Sequence, residues 1–286
     1  MTDTELALEI CREIRSAHKK ICLPYKLEPG DPGLTDSKAD GVPYFPKDEP
    51  WPKDANGTPL LFLAQINCAE LTALPDFPHT GLLQFFIGSD DVWGMDFDDM
   101  TNTGGFRVFY WETVDPSVTK ADAAAKQPPA PEEYGSPVCK PCRIVFQRPW
   151  EQGIPDGDFL FETLFVEKWN RRRPEKPLKT LWDFYSLFPK EERDYSIFEE
   201  NPEGEDEGRG PNHQMDGFPF FTQSDPRTEK AEYEGFDTLL FQLDSDSLDR
   251  KDLVLWGDCG VGGFFISRED LKRRDFSRVL YNWDCC

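Results

Sequence analysis

The stretch GVPYF, residues 41–45, recurs as GFPFF at residues 217–221. Two further blocks follow in the same order: LLFLAQI (60–66) lies over LLFQL (239–243), and GLLQFFI (81–87) lies over GGFFI (262–266). Gly41 and Gln65 are 24 positions apart, and Gly217 and Gln242 are 25 positions apart. Three matched blocks in one order predict an internal duplication.

The sequence of each copy predicts, in this order, an extended Gly-x-Pro-aromatic segment, a buried strand, a turn and a second aromatic strand. A continuous apolar run such as LLFLAQI suits a strand covered on both faces, so we expect the two copies to pack against each other. The predicted fold class is α+β, with mainly antiparallel β-sheets, an internal duplication and a few peripheral helices. We expect one domain, 1–286, with copies at about 41–115 and 213–286 joined by a variable middle region, 116–212.

Other segments have simpler signals. Thr2 and Glu5 form a capping-box pattern, and apolar residues then recur at helical spacing as far as Ile21, which predicts an opening helix ended by Pro24. We predict strands at 106–111, 142–147, 159–166 and 279–284, a helix around 178–188, a short capped helix after Ser267, a surface excursion at 116–137, and disorder or a loop at 199–211.

The charge is strongly acidic, with 54 Asp and Glu against 32 Lys and Arg, a formal net charge of −22. Such a field repels phosphate backbones and anionic lipid headgroups, so we predict neither nucleic-acid nor membrane binding. It attracts cations, so a basic protein is a candidate partner, and a highly soluble surface without such a partner is the alternative. The 23 Phe, 8 Trp and 8 Tyr supply large apolar area for a core.

The compartment follows from the N-terminus and the cysteines. The first 20 residues mix charges throughout and lack the apolar segment of a secretory signal. Eight cysteines are scattered along the chain, which favours free thiols over a disulfide framework. We therefore predict a cytoplasmic protein.

A family resemblance rests on long strings. HQMDGFPFFTQSDPR (213–227) and WGDCGVGGFFISREDLKRRDFSRVLYNWDCC (256–286) closely resemble the YwqG-like family, a bacterial domain of unknown function, as do LAQIN (63–67) and DFDDMTN (96–102). Where the family has two adjacent glycines, this chain has Asp216 followed by Gly217. The resemblance implies a sheet-dominated duplicated fold in a bacterial cytoplasm, and no reaction.

Cys139 and Cys142 have the spacing of a redox dithiol or of half a zinc site. The RIVFQ segment that follows is typical of a strand, whereas a redox motif opens a helix, and no second ligand pair has finger spacing. Ordinary turn cysteines are the third alternative. Cys139 and Cys142 remain weak metal candidates, and no cofactor is predicted.

None of the remaining sequence motifs indicates a particular catalytic reaction. Only three histidines are present, and neither H-E-x-x-H nor G-x-S-x-G occurs. The acidic run 90–99 departs from the EF-hand pattern at Met100. We therefore predict no catalytic residue.

Our leading functional hypothesis is a non-enzymatic binding protein, of the type that neutralises a toxin domain, which presents its acidic surface to a basic partner. The alternative is an enzyme or small-molecule binder with a polar pocket between the two copies. A closed, polar-lined cleft with a buried Arg227 paired with a carboxylate would favour the alternative, whereas an acidic, shallow, aromatic-rimmed face without such a cleft would favour partner binding. The pocket candidates are Gln84, Asp225, Arg227, Gln242, Trp256 and Asp258.

Overall fold

The structure is a computed structural model that describes residues 1–129, 131, 133–199 and 212–286. Within these residues the helices are α1 (Asp3–Ala17), α2 (Lys120–Lys126), α3 (Phe161–Arg172), α4 (Leu181–Tyr185) and α5 (Arg268–Arg273). The strands are β1 (Lys19–Pro29), β2 (Lys38–Ala39), β3 (Leu61–Asn67), β4 (Leu82–Ile87), β5 (Phe106–Trp111), β6 (Cys142–Phe146), β7 (Trp150–Gly153), β8 (Gln214–Asp216), β9 (Thr238–Asp244), β10 (Asp246–Leu248), β11 (Lys251–Val254), β12 (Val261–Ile266) and β13 (Leu280–Asp284).

One antiparallel sheet dominates the molecule. Its strand order is β13-β12-β9-β8-β1-β6-β2-β3-β4-β5, with β7 also paired to β1. The sheet curves until it is nearly closed, like a barrel, so Phe85 of β4 stacks on Phe241 of β9 and meets Phe264 of β12, with ring centroids 4.6 and 4.9 Å apart. Strands β10 and β11 form a separate hairpin.

The centre of the sheet is formed by β1 and β6, which pair with each other over Tyr25–Phe146 and onward to Pro29–Cys142. Beyond this pair, β1 continues to β8, where Cys22 lies opposite Asp216, and β6 continues to β2. Strand β1 therefore links the strands of the first half of the chain to those of the second half within one sheet.

The two Gly-x-Pro-aromatic segments have matching local geometry. Asp40 and Asp216 both take left-handed φ angles, 58° and 53°, and the following Gly41 and Gly217 have φ of 87° and 75°. Asp tolerates this region and Gly prefers it, so each Asp-Gly pair turns the chain sharply out of a strand. The side-chain oxygen of Gln65 accepts a hydrogen bond from the Tyr44 N–H at 2.9 Å.

The second segment repeats that bond: the side-chain oxygen of Gln242 accepts from the Phe220 N–H, also at 2.9 Å. The strand pairing has the same irregularity in both places, because Leu63 in β3 and Leu240 in β9 are each skipped in the register with the next strand.

Two large apolar clusters lie among the described residues, together with three smaller ones. The larger one lies inside the curved sheet and holds Phe85, Phe241 and Phe264. The second lies between α1, α3 and α4, where the i, i+4 residues Phe161, Phe165 and Trp169 all face inward.

The structure corrects two predicted elements. The opening helix ends at Ala17, because His18 has extended dihedrals and residues 19–29 form β1, so Ile21 and Pro24 lie in a strand. Apolar spacing alone does not separate the end of a helix from a strand that follows it at once. Residues 159–166 were predicted as a strand but belong mainly to α3, because their aromatic residues repeat at helical spacing.

Other predictions are confirmed. Thr2 and Glu5 form the capping box of α1, and Ser267 caps α5 by accepting the Asp270 N–H. Strands β5, β6 and β13 and helix α4 lie where the sequence placed strands and a helix. The predicted excursion at 116–137 contains α2, and the predicted disordered run 199–211 lies, apart from Glu199, outside the described residues.

Among the described residues, none of the helices combines the length and the apolar character that a membrane span requires.

Candidate ligand-binding site

A buried ion cluster lies between the start of α3 and the segment before β9. The Arg227 guanidinium donates to Asp225 from Nε at 2.9 Å and from Nη2 at 2.6 Å, and Nη2 also donates to Asp158 at 3.0 Å. All three side chains are at most 1 % exposed. Phe159 covers the guanidinium, with its ring centroid 4.4 Å from Cζ. The cluster is thus a fully desolvated charge network.

Local backbone geometry fixes both carboxylates. Asp225 caps the 3₁₀ turn Pro226–Thr228 by accepting the Arg227 N–H, and its other oxygen accepts the Phe159 N–H at 3.1 Å. Asp158 accepts the Leu160 N–H at 3.0 Å just before α3. Among the described residues, Nη1 of Arg227 has no hydrogen-bond partner. One guanidinium donor of this buried cluster is therefore unused within the described part of the chain.

Beside this cluster lies a cavity of about 310 Å³, which we name the charged pocket. That volume is at the lower end of the range for small-molecule sites. Its walls combine charged and apolar side chains from the end of α1, β1, the approach to α3 and the start of α5. They are formed by Ala17, His18, Lys19, Lys20, Ile154, Asp158, Phe159, Leu160, Phe218, Asp237 and Arg268.

Lys20 stands at the start of β1 with its ammonium 4.7 Å from the centroid of the Phe218 ring. Nζ donates to the Asp237 carbonyl at 2.7 Å and forms no ion pair with a carboxylate among the described residues. Burial lowers the pKa of Lys20, as does repulsion from Arg227, while Asp158, Asp216 and Asp237 act in the opposite direction. Lys20 is therefore a half-buried cation with donors to spare.

Arg268, the first residue of α5, closes the other side of the pocket. Its guanidinium donates to Asp76 at 2.6 Å and approaches Asp216 at 3.5 Å, and its backbone N–H donates to Asp237 at 2.8 Å. Burial raises the pKa of both Asp158 and Asp216, against the favourable field of the neighbouring cations. Groups with perturbed pKa values of both signs thus surround one cavity, a pattern common at functional sites.

A second cavity, of about 640 Å³, occupies the equivalent place in the first half, and we name it the apolar pocket. Aliphatic, aromatic and proline side chains dominate its walls, with a few polar groups among them. It is lined by Asp40, Trp51, Thr58, Pro59, Leu60, Leu61, Phe62, Ser89, Gln127, Pro128, Pro129, Pro131, Gly135, Ser136 and Val138.

The alignment of the two halves relates residues that line the apolar pocket to residues that lie beside the charged pocket. The alignment that sets GVPYF over GFPFF sets Asp40 over Asp216 and Trp51 over Arg227. Trp51 packs on Phe86 at 5.4 Å between ring centroids, and the Arg227 guanidinium lies 5.4 Å from the centroid of Phe265. A tryptophan in one half thus stands where the other half has a buried arginine.

The predicted site residues are distributed over several places. Asp225 and Arg227 meet in the ion cluster. Gln84 is buried in the first half, where its side-chain N–H₂ donates to the Tyr44 carbonyl and, at 2.8 Å, to Gln65. Gln242 is buried in the second half, where it donates to the Asn212 carbonyl at 2.6 Å.

The last two predicted residues lie apart from these. Trp256 is fully buried against Trp93 and Trp283, and Asp258 is exposed in a turn. None of the six lines the charged pocket or the apolar pocket. The two glutamines instead hold the backbone of the Gly-x-Pro-aromatic segments in place.

The structure places the two cysteines of the predicted pair differently. Cys139 is exposed and Cys142 is buried at the start of β6. Burial raises the pKa of Cys142 to about 11 and also raises that of Cys139, so in the absence of a metal both thiols remain protonated at neutral pH. Within the described part of the chain, no three His, Cys, Asp or Glu side chains form a group that could hold a metal ion.

Sequence reasoning missed Lys20, Asp158, Asp237 and Arg268, because they come from four segments that only the fold brings together. Asp40 had a visible signal. It is aligned with Asp216 by the repeat, and an Asp immediately before each Gly marks a conserved geometric role within this one chain.

Comparison with known proteins gives a family and no activity. No curated protein matches the sequence. The family described as "Domain of unknown function (DUF1963)" matches residues 37–285, which include both pockets apart from the residues contributed by α1 and β1. With nearly the whole chain matched, the protein belongs to the DUF1963 family.

Proposed function

We propose that this protein binds a small zwitterionic molecule, about the size of an amino acid, in the charged pocket. The observation that carries the proposal is the state of Lys20. Its ammonium faces the cavity with one hydrogen bond, to a backbone carbonyl, although an ammonium has three donors. A ligand carboxylate would accept hydrogen bonds from the remaining N–H groups of Lys20. It would also form the ion pair that Lys20 does not make with any described residue.

The acidic groups explain why the ligand should also carry a cation. Asp158 and Asp237 line the pocket, and Asp216 lies behind Arg268. In a chain with a net charge of −22, a simple anion is repelled by these carboxylates. A ligand ammonium facing Asp158 and Asp237 removes that repulsion, so opposite charges on one small molecule fit best.

The ion cluster prepares the pocket for binding. Arg227 holds Asp158 in place from behind, and the Leu160 N–H fixes its other oxygen. A carboxylate held in this way loses little conformational entropy when a ligand binds. The buried, carboxylate-paired Arg227 is the feature that favours a pocket over a flat protein-binding face.

The test uses three molecules with nearly the same skeleton: alanine, propionate and ethylamine. Alanine carries both charges, and the others carry one each. We expect titration calorimetry to detect alanine, or a larger amino acid from the common set, at least about tenfold more tightly than either single-charge analogue. Lys20→Met keeps the side-chain stem and should weaken binding by a similar factor.

Lys26→Met is the matched control, because Lys26 lies exposed on the same strand outside the pocket. It should leave the affinity unchanged. The proposal is wrong if no amino acid binds, if propionate binds as well as alanine, or if Lys20→Met has no effect.

The protein-partner hypothesis stays a second candidate because of one surface. Trp182 is 63 % exposed and stacks with Tyr195, at 5.9 Å between ring centroids, beside the exposed acids Glu191, Glu192 and Asp194. Exposed aromatic side chains among acids suit a basic partner. Capture from a bacterial lysate should retain a basic protein at low salt and release it at high salt, and Trp182→Ser should abolish the capture.

We also propose that the two halves derive from one duplicated unit. The proposal is supported by the equal Gln65 and Gln242 hydrogen bonds, the paired left-handed Asp-Gly turns and the residue skipped in β3 and in β9. The narrower YwqG-like assignment, with the bacterial cytoplasm that it implies, stays a prediction supported by the strings at 213–227 and 256–286.

A further inference from the structure

Among the described residues that line the apolar pocket, Asp40 is the one carboxylate. Asp40 follows β2 with its backbone N–H bonded to the Leu63 carbonyl at 2.9 Å. Its side chain reaches the cavity formed by Trp51, Leu61 and Phe62, and it forms no ion pair among the described residues. The carboxylate is partly buried, and a hydrogen bond from the Gly41 backbone offsets only part of its desolvation, which raises its pKa.

One wall of the pocket, the Trp51 side chain, is held by contacts with its neighbours. The Trp51 indole donates to the Leu60 carbonyl at 2.9 Å and packs on Phe45 at 5.2 Å between centroids. Prolines 128, 129 and 131 form the opposite wall. The cavity volume of about 640 Å³ lies well within the range for small organic ligands.

The backbone accounts for only part of the choice of Asp. A left-handed φ favours Asp, Asn or Gly at position 40, so conformation alone does not require a charge. Asn would satisfy the backbone without the cost of burying a carboxylate. The negative charge at position 40 is therefore the feature that a ligand would explain.

We propose that the apolar pocket binds a small organic ammonium ion, with Asp40 as its counter-ion and Trp51 beside its apolar body. The ligand ammonium would form an ion pair with the Asp40 carboxylate, which has none among the described residues. The indole face of Trp51 also attracts a neighbouring cation. The net charge of −22 draws such ligands toward the protein and disfavours anionic ones. This site is separate from the charged pocket and does not depend on ligand binding there.

Benzylamine and benzyl alcohol are suitable probes, because they share the ring and the size and differ in the charge. Titration calorimetry should show benzylammonium binding at least about tenfold more tightly than the alcohol. Asp40→Asn keeps the shape and the left-handed preference and should remove that difference. Asp249→Asn is the matched control, since Asp249 also has a left-handed φ, 52°, in the exposed β10–β11 turn.

A second measurement follows the same binding with pH. Burial raises the pKa of Asp40 above its ordinary 3.8, and the titratable group beside it is the Cys142 thiol of β6, whose pKa of about 11 keeps it neutral. Benzylammonium affinity should fall as the pH drops through the raised Asp40 pKa, and Asp40→Asn should abolish that fall.

Three results would overturn the proposal: no measurable benzylammonium binding at millimolar concentration, equal affinity for the alcohol, or an Asp40→Asn variant that binds the amine as well as the wild type does. Circular dichroism on Asp40→Asn checks that the fold is kept. The comparison of the two probes on the wild-type protein stands even if that variant does not fold.

Discussion

The charged pocket and the apolar pocket occupy equivalent places at the ends of matching strands, yet they differ in the chemistry of nearly every wall. The first has the ammonium of Lys20 and the second the carboxylate of Asp40, and neither group forms an ion pair within the described ranges of the chain. Behind them, Arg227 and Trp51 lie against the equivalent rings of Phe265 and Phe86. Similar backbone segments, each held by a hydrogen bond to the side chain of Gln65 or Gln242, thus lie near two cavities whose walls differ in charge.

The largest test of this comparison removes the buried arginine. Arg227→Met leaves Asp158 and Asp225 desolvated without a counter-ion, so it should lower the free energy of unfolding by about 3–5 kcal/mol. Urea denaturation measures the change. Arg143→Met removes an ion pair to Asp36 that is 54 % and 34 % exposed, and should cost no more than about 1 kcal/mol. Equal losses in the two variants would mean that the cluster has no special structural role.

The corresponding test in the first half removes the tryptophan. Trp51→Ala uncovers Phe45 and Phe86 and should cost about 2 kcal/mol, less than the arginine because no buried charge is left behind. Trp182→Ala, at a residue that is 63 % exposed, is the control and should stay within about 0.5 kcal/mol. If Trp51→Ala cost as much as Arg227→Met, the proposed difference between the two supports would not hold.

The smallest effect is a pH dependence at Asp40. Its folded-state pKa is raised by burial, so the folded state holds the proton more tightly than the unfolded state does. The wild type therefore loses stability as the pH rises from about 3.8 through the raised value. Asp40→Asn does not titrate, so it should match the wild type at low pH and exceed it at neutral pH, by on the order of 0.5 kcal/mol.

Urea midpoints measured from acid to neutral pH check this prediction. Asp249→Asn, at an exposed left-handed position, corrects for the chemical effect of the exchange itself. A gap between Asp40→Asn and the wild type that is the same at every pH would contradict the argument.

The sequence predicted the frame better than the sites. Hydrophobic blocks such as LLFLAQI located β3, and the capping pairs Thr2–Glu5 and Ser267–Asp270 located the starts of α1 and α5, because these signals are local. The prediction failed for residues 18–24 and 159–166, where apolar residues suited a helix and a strand equally and only tertiary packing decided.

The charged pocket could not be predicted from the sequence, for a different reason. Lys20, Asp158 and Arg268 are separated by more than a hundred residues at each step, and no local pattern marks any of them. In an acidic chain, every carboxylate had many competitors for a functional role. Arg227 was singled out, but its partner Asp158 was not, since the pair depends on how α3 packs on the segment before β9.

The central place of β1 also bears on synthesis. This strand is synthesised well before its partners β6 and β8, which begin at Cys142 and Gln214. Until those residues are made, the nascent chain carries an open strand edge rich in apolar residues, a state exposed to wrong pairing. We therefore expect the sheet around β1 to form only after much of the chain has been translated. Contacts between residues so distant in sequence also favour slow folding. A fragment that begins with the family match at residue 37 would lack this strand altogether.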